Sequence, residues 1–161
     1  MSSQTTVAIR PPQTKAEFED YYGLRYRVLR MPFGYDTNSA QDEFDNTSCW
    51  HLAAIANDAV IGVARLHRST EGLFLIRWVA VDPNHRHRKL GSLLISALES
   101  VARRHGAKRV ELVSRNTALG FYKKLGYSEL EPANPVVDVT GKPVVEQTKM
   151  SKVLRNTKPE R

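Results

Sequence analysis

The sequence is poor in cysteine and has no long hydrophobic run. Cys49 is the single cysteine among 161 residues, which excludes a disulfide within the chain and favours a reducing compartment. The first residues, MSSQTTVAIRPPQ, contain no apolar core of signal-peptide length. The longest apolar segment, GLFLIRWVAV, is interrupted by Arg77 and is too short to cross a bilayer. We therefore expect a cytoplasmic protein with no membrane partner.

Several sequence motifs of ligand-binding proteins are also absent. The chain has no Walker phosphate-binding loop, and no Gly-x-Gly-x-x-Gly follows a predicted strand. His85 and His87 stand without the Cys, Asp or Glu ligands that accompany a zinc site, so we expect no metal. The net charge of +7 permits an anionic partner. The sequence nevertheless shows no helix-turn-helix pattern and no aromatic stacking motif, and we expect no nucleic acid.

The composition and the hydrophobic pattern indicate one mixed α/β domain. Hydrophobic residues make up 41% and charged residues 25% of the chain, as in ordinary soluble domains. We predict a single domain over residues 1–161, with a core at about 7–154 and short frayed termini. The pattern predicts helices that begin after Thr14, near Leu90 and near Ala118. It predicts strands at residues 7–10, 50–56, 60–66, 72–81, 109–113, 127–130 and 145–153.

A dense basic turn, VAVDPNHRHRKLGSLL, joins a predicted strand to a predicted helix. Its residues from His85 to Leu90 include two His, two Arg and one Lys. A helix N-terminus leaves backbone N–H groups unpaired and carries partial positive charge, so phosphate groups bind there. Gly91 would let the backbone approach a ligand, Ser92 could donate a hydroxyl, and mobile charge would come from Arg86, Arg88 and Lys89. These donors fit a pyrophosphate; the alternative is a set of solvated surface charges.

The same stretch resembles the coenzyme-A-binding motif of the GNAT N-acetyltransferase superfamily. That motif follows a strand and reads Arg/Gln-x-x-Gly-x-Gly/Ala before a helix. Arg86 matches its first position and Gly91 its last, whereas Lys89 stands at its middle glycine. A lysine seldom adopts the positive φ that a glycine allows, so the backbone conformation at this position is left open.

A second stretch, SRNTALGFYKKLGYSEL, resembles a later motif of the same family, Asn-x-x-Ala-x-x-(Phe/Leu)-Tyr-x-x-x-Gly-(Phe/Tyr). Five positions match it in register: Ala118, Phe121, Tyr122, Gly126 and Tyr127. Arg115 occupies the place of the asparagine, and Asn116 lies one residue later. The ending, GKPVVEQTKMSKVL, and the N-terminal half are similar to the family as well. The resemblance therefore spans roughly residues 7–154.

The resemblance implies a fold and a reaction. The fold would be GNAT-like and α/β (α+β), with a mixed, mostly antiparallel central sheet of six to seven strands flanked by about four helices. The reaction would be direct attack of an amine on acetyl-CoA in a ternary complex, with a small molecule, a peptide or a protein as the amine acceptor. An exposed edge strand could also pair two copies into a homodimer. The alternative is a non-catalytic acyl-CoA-binding regulatory module of the same fold.

The resemblance also assigns roles to residues. The cosubstrate acetyl-CoA would contact the strand backbone, the basic turn and the later motif through Val79, Val81, Arg86, His87, Arg88, Lys89, Gly91, Ser92 and Asn116. A backbone N–H of that strand would stabilise the oxyanion. Tyr122 would be the general acid for the CoA sulfur, although its spacing with Ala118 and Leu125 also fits a core aromatic.

The sequence does not identify a general base. Several relatives carry a glutamate on the fourth strand, but the corresponding stretch here, LFLIRWV, contains Arg77 and no acid. Candidates elsewhere are Glu43, Asp45, His51, His67 and Glu71. The loop YDTNSAQDEFD holds a group of acids, and we hypothesise that it attracts a cationic amine through Asp36, Asp42, Glu43 and Asp45. A solvated loop is the alternative.

Overall fold

The computed structural model describes residues 6–155, except for the side chains of His87 and Arg88. Its seven strands form one sheet in the order β1-β2-β3-β4-β5-β7-β6. They are β1 (Ala8–Arg10), β2 (Cys49–Ala56), β3 (Ala59–Thr70), β4 (Leu73–Val81), β5 (Arg109–Arg115), β6 (Ser128–Val137) and β7 (Pro143–Val153). The described α-helices are α1 (Lys15–Arg25), α2 (Leu90–Arg104) and α3 (Leu119–Lys124). The predicted mixed, mostly antiparallel sheet is confirmed, with three helices in the described chain rather than about four. The termini predicted to fray lie outside the described residues.

Local signals in the sequence explain where the helices begin and end. Thr14 precedes α1, and its Oγ1 accepts a hydrogen bond from the backbone N–H of Glu17 at 3.1 Å, which satisfies a free donor of the first turn. Beyond α1 the chain continues through a wider π-helical turn at Tyr26–Arg30, so the single predicted helix is split in two. After α2, Gly106 takes a left-handed φ of 87°, a conformation that suits glycine. No helix in the described part of the chain is long and apolar enough to span a membrane.

Buried apolar side chains form one cluster on each face of the sheet. On the face covered by α2 and α3, the cluster includes Leu66 and Phe74 of the sheet and Leu94 of α2. On the face covered by α1, it includes Leu24 of the helix and Val63 of the sheet. Each buried aliphatic side chain contributes roughly 1.5–3 kcal/mol of transfer free energy. The sheet is therefore held from both sides.

The face covered by α1 also carries polar residues of the two central strands. Successive strand residues point to opposite faces, so Arg65 and His67 lie on the same face as Val63 of β3. By the same alternation, Leu75 and Arg77 of β4 lie on this face, opposite Phe74. The polar part of this face is where the site is built.

The hairpin of β6 and β7 is longer than predicted. Its extra residues include Pro132 and Pro135, which disfavour a strand in the sequence but are tolerated on an edge strand such as β6. Its tip crosses to the loop after α1. There the Tyr35 hydroxyl donates to the Val137 carbonyl at 2.7 Å, and the Val139 N–H donates to the Phe33 carbonyl at 3.0 Å.

Strands β4 and β5 pair over a short distance and then separate. Their parallel register joins Leu73 to Arg109 and ends at Leu75 with Glu111. Past this point β4 contains a bulge, because Arg65 and Val63 of β3 face Arg77 and Ala80 of β4. Trp78 and Val79 therefore oppose a single residue, and Trp78 takes a φ of 59°. A bulge bends its strand and leaves backbone groups unpaired, which opens a gap in the sheet.

Candidate active site

A cleft lies where β4 and β5 separate. Its volume is about 1130 Å³, slightly above the usual range of about 300–1,000 Å³ for ligand and cofactor sites. The lining comes from β3, β4 and β5, the π-helical turn after α1, the loop before β2, α3 with the residue before it, and the hairpin of β6 and β7. Residues that matter chemically in this lining are Asp42, Phe44, Arg65, His67, Arg77, Trp78, Val79, Arg115 and Tyr122.

Tyr122 is a buried tyrosine at the wall of the cleft. It lies in α3 with 8% of its surface exposed, and its ring packs edge-on against Phe121 and Tyr127. Burial raises the pKa of its hydroxyl to about 12, so the group is protonated at neutral pH and can donate a proton. The ring therefore belongs to the core, as its spacing predicts, and the residue also lines the cleft; the role of Tyr122 as general acid stays a prediction.

His67 is the candidate base that lines the cleft. Its imidazole is 4% exposed and stacks on the Phe44 ring with centroids 4.4 Å apart. Burial, followed by the charges of Arg65 and Arg77, lowers the pKa of His67 below its ordinary value. The ring is therefore neutral at neutral pH. Arg65 Nη2 lies 3.4 Å from its Nδ1, which is too long to fix the ring nitrogen that carries the proton.

The other candidate bases lie elsewhere. Asp45 is buried and accepts hydrogen bonds from Arg25 Nη1 at 2.8 Å and Arg65 Nη1 at 3.0 Å. His51 is held by the Tyr21 hydroxyl at 3.0 Å from Nδ1 and by the Asp45 carbonyl at 3.0 Å from Nε2. The remaining two, Glu43 and Glu71, are exposed and outside the cleft lining.

Two of the four acids of the loop pair with arginines, Asp42 with Arg65 and Asp45 with Arg25 and Arg65. Asp42 accepts from Trp78 Nε1 at 3.0 Å and pairs with Arg65. Burial raises the pKa of Asp42, but the hydrogen bonds from Arg65 and Trp78 outweigh this and lower it to about 2. Asp36 accepts from the backbone N–H of Ser39 at 3.2 Å. These carboxylates therefore order the loop.

The basic turn leads directly into an uncapped helix. A 3₁₀ turn, Pro83–Arg88, leads into α2, and Lys89 at the junction takes a left-handed φ of 58°. Lys89 thus adopts the conformation that the family motif gives to glycine. Helix α2 begins without a side-chain cap, and its first internal hydrogen bond runs from Leu93 N to Lys89 O at 3.2 Å. The amides before Leu93 have no acceptor within the helix.

Of the predicted cofactor contacts, the structure brings Val79 to the cleft lining and leaves the other described ones outside it. Val79 shares the lining with Tyr122. The cleft lining does not include Val81, Arg86, Lys89, Gly91, Ser92 or Asn116. Arg86 acts electrostatically on one residue of the lining, Arg115. Burial and then the positive charge of Arg86 lower the pKa of Arg115.

Three of the predicted contacts have local partners. The Ser92 hydroxyl donates to the Lys89 carbonyl at 3.2 Å. Asn116 Oδ1 accepts from the Thr148 hydroxyl at 2.7 Å. A Cβ added to Gly91 would lie 3.1 Å from Phe121 Cζ, so the glycine makes room for a ring of α3. The side chains of His87 and Arg88, also predicted as contacts, lie outside the described part of the structure.

Sequence reasoning missed the arginines of the cleft. Arg65 is fully buried and Arg77 is half-buried, although both stand in apolar strand segments. The available signal was the interruption itself, because a charged residue inside a buried strand needs a partner. The partners of Arg65 are Asp42 and Asp45, which come from a loop remote in sequence and could not be identified from the sequence.

The fold places the chain in the class of α/β domains whose single sheet opens between two parallel strands. The model of the acetyltransferase (GNAT) family matches residues 14–127. The chain therefore belongs to the GNAT acetyltransferase family, as the two sequence motifs predict.

Similar proteins agree with this assignment. The uncharacterized N-acetyltransferase YitI of Bacillus subtilis (strain 168) is 27% identical over 118 residues, which cover 70% of this chain and 78% of YitI. An aminoglycoside 6'-N-acetyltransferase, solved in complex with coenzyme A, has a TM-score of 0.76 at 16% identity and covers 96% of this chain and 99% of its own. ElaA of Escherichia coli has a TM-score of 0.74 at 18% identity and covers 92% and 99%. At these identities, the solved structures support the fold.

Proposed function

We propose that the protein is an N-acetyltransferase that transfers the acetyl group of acetyl-CoA to an amine by direct attack in a ternary complex. The observation that carries this proposal is the cleft itself. It joins a protonated hydroxyl at Tyr122 and a neutral imidazole at His67 with the unpaired backbone of β4. These are the groups that amine acylation requires.

The residues around the turn fit coenzyme A. The uncapped N-terminus of α2 offers backbone N–H groups to a pyrophosphate, and Arg86 adds charge beside it. The amide-rich pantetheine arm would pair with the β4 backbone at Val79 and Val81, beyond the point where β5 leaves. Acetyl-CoA supplies an acetyl group activated as a thioester.

The side chains of the cleft would handle the protons. A backbone N–H next to the bulge at Trp78 would donate to the thioester carbonyl, where negative charge develops. His67 would accept the proton that the attacking amine must lose. Tyr122 would donate a proton to the sulfur as the C–S bond breaks. Each proton lost by one reactant thus has an acceptor, and each anion formed has a donor.

An acyl-CoA-binding regulatory module of the same fold is the second candidate. One observation favours it: both carboxylates that line the cleft in the described structure, Asp42 and Glu131, are paired with cations. Such a site has no carboxylate base ready for an amine. A module of this kind would bind acetyl-CoA and release no CoA with any amine.

The first test is calorimetric titration with acetyl-CoA, with dephospho-CoA as the comparison, followed by thiol release with a panel of amines. We expect saturable micromolar binding and amine-dependent release of CoA. Tyr122→Phe should lower kcat by about 100-fold or more and leave the Kd of acetyl-CoA within about twofold. Tyr26→Phe, outside the cleft lining, is the matched control. Equal losses of binding and rate in Tyr122→Phe would instead assign Tyr122 a structural role, and absence of acetyl-CoA binding would refute the proposed function.

A further inference from the structure

Two arginines face each other across β3 and β4. Arg65 and Arg77 are direct partners in the antiparallel register, and like charges in this position destabilise a sheet. Arg65 is neutralised by Asp42 and Asp45. No carboxylate of the described residues makes an ion pair with Arg77. The charge of Arg65 is therefore neutralised by carboxylates, whereas Arg77 has no carboxylate paired with it in the described part of the chain.

The surroundings of Arg77 add positive charge. The cleft lining contains six cationic side chains, namely Arg30, Arg65, Arg68, Arg77, Arg115 and Lys149. It contains two carboxylates, Asp42 and Glu131. Both are taken, the first by Arg65 and the second by Lys149 at 3.4 Å. The cleft therefore has an excess of positive charge that no acid of the lining balances.

Two other arginines of the lining have hydrogen-bond partners. Arg30 Nε donates to Ser39 Oγ at 3.2 Å, and Arg68 Nη2 donates to the His105 carbonyl at 3.0 Å. The guanidinium of Arg115 lies over the Phe33 ring, 5.5 Å from its centroid. Arg77 is half-buried, and burial together with the charge of Arg65 lowers its pKa, against the smaller opposing effect of the Asp42 carboxylate. A cation in such a place is costly unless an anion reaches it.

We infer that Arg77 binds a carboxylate of the acceptor, so that the substrate is an amine that also carries a negative charge. This inference rests on the proposed function and names its substrate class. A guanidinium holds a planar oxyanion through two parallel hydrogen bonds, which matches a carboxylate and also a phosphate.

The position of Arg77 fits this role. It immediately precedes the bulge at Trp78, where the acetyl group would lie. It shares the α1 face with His67, whose strand partner is Leu75. Arg77 is thus the diagonal neighbour of His67, at a Cα separation of roughly 7–8 Å. An acceptor could place its amine at the imidazole and its carboxylate at the guanidinium within one small molecule or one chain end.

The same charges disfavour a polycationic acceptor. An aminoglycoside carries several ammonium groups, and a cleft with unbalanced arginines would repel them. The likeness to aminoglycoside acetyltransferases at 16% identity therefore extends to the fold, while the charge of the cleft points to a different substrate.

The test compares acceptors that differ in one charge. The panel consists of α-amino acids and ω-amino carboxylic acids of increasing chain length, each beside its own carboxamide, with O-phosphoethanolamine and kanamycin added. We expect at least one carboxylate to exceed its carboxamide in kcat/KM by about 10- to 100-fold, the size of a hydrogen bond to a charged group. Kanamycin should be a poor acceptor. Preference for O-phosphoethanolamine over every carboxylate would overturn the carboxylate assignment in favour of phosphate.

Variants separate this inference from the proposed function. Arg77→Gln should abolish the carboxylate preference, mainly through KM, and leave the Kd of acetyl-CoA within about twofold; Arg77→Lys should be intermediate. Arg104→Gln, an exposed residue of α2, is the control with the same change of charge. If acetyl-CoA binds but no anionic amine is turned over or preferred, the inference is wrong and the cofactor assignment stands. If Arg77→Gln weakens acetyl-CoA binding as much as it weakens acceptor use, Arg77 belongs to the cofactor site.

Discussion

The two ends of the cleft, a proposed cofactor end beside α2 and a proposed acceptor end around His67 and Arg77, differ in the groups they present. At the cofactor end, the proposed contacts come mainly from the backbone: the uncapped start of α2, the bulge at Trp78 and the gap between β4 and β5. At the acceptor end, the proposed contacts come from side chains that line the cleft, such as His67, Arg77 and Phe44. A backbone site depends on the path of the chain and tolerates changes of side chain. A side-chain site depends on particular charges and on the residues that hold them.

This difference explains how Lys89 can replace a motif glycine. What the cofactor end requires at this position is a left-handed backbone, and Lys89 supplies it with a φ of 58°. At the acceptor end, a comparable replacement would change the charge that the substrate meets. Substitutions at the two ends should therefore differ in the size of their effects and in the property that they alter, which is stability, kcat or the Kd of acetyl-CoA.

The largest effect is expected at the support of the acceptor end. Asp45→Asn removes the carboxylate shared by the buried Arg25 and Arg65, both fully buried. Breaking a buried ion pair in this way costs about 3–5 kcal/mol, which denaturant unfolding will measure. Glu19→Gln, whose exposed pair with Lys15 spans 4.0 Å, should change stability by about 0.5 kcal/mol or less. Equal effects of the two substitutions would show that the arginine cluster does not support the acceptor end.

The sequence predicted the local structure of the basic turn better than the contacts at the proposed acceptor end. The turn from Asp82 to Ser92 is a continuous segment, so strand, basic residues and helix start could be read together. The fold followed from the same local patterns, including the parallel crossover between β4 and β5. The predicted β6 was too short because its prolines disfavour a strand in the sequence, although an edge strand tolerates them.

The acceptor end could not be read in this way. Its charges are set by contacts between segments far apart in sequence, such as Asp42 with Arg65 and Trp78. The acidic residues suggested attraction of a cation, but two of them, Asp42 and Asp45, pair with arginines of the protein itself. Of the five candidate bases, His67 is the one that lines the cleft. Its position in the sequence did not distinguish it from the other four.

Substitution of His67 tests the acceptor end through the pH dependence of kcat. Since its pKa is lowered by burial and by Arg65 and Arg77, the neutral base is present above the lowered value and is lost as pH falls through it. The acid limb of kcat should therefore lie below about 6.5, the ordinary histidine value. His67→Gln should lower kcat by about 100-fold and remove this limb. His105→Gln, an exposed histidine outside the lining, should leave both unchanged; an unaltered profile in His67→Gln would exclude His67 as the base.

The smallest effect is expected at the cofactor end. Lys89→Gly relieves a left-handed backbone that costs a non-glycine residue about 1–2 kcal/mol, although the glycine also gains entropy in the unfolded chain. We expect a net gain in stability below about 1 kcal/mol. Lys124→Gly, at the last residue of α3, should instead lower stability, by less than the roughly 1 kcal/mol that glycine costs inside a helix. The Kd of acetyl-CoA for Lys89→Gly should rise by no more than a few-fold, as for loss of one exposed charge. A loss of more than about tenfold, equal to 1.4 kcal/mol, would show that the lysine side chain is the principal contact, and the contrast between a backbone end and a side-chain end would no longer hold.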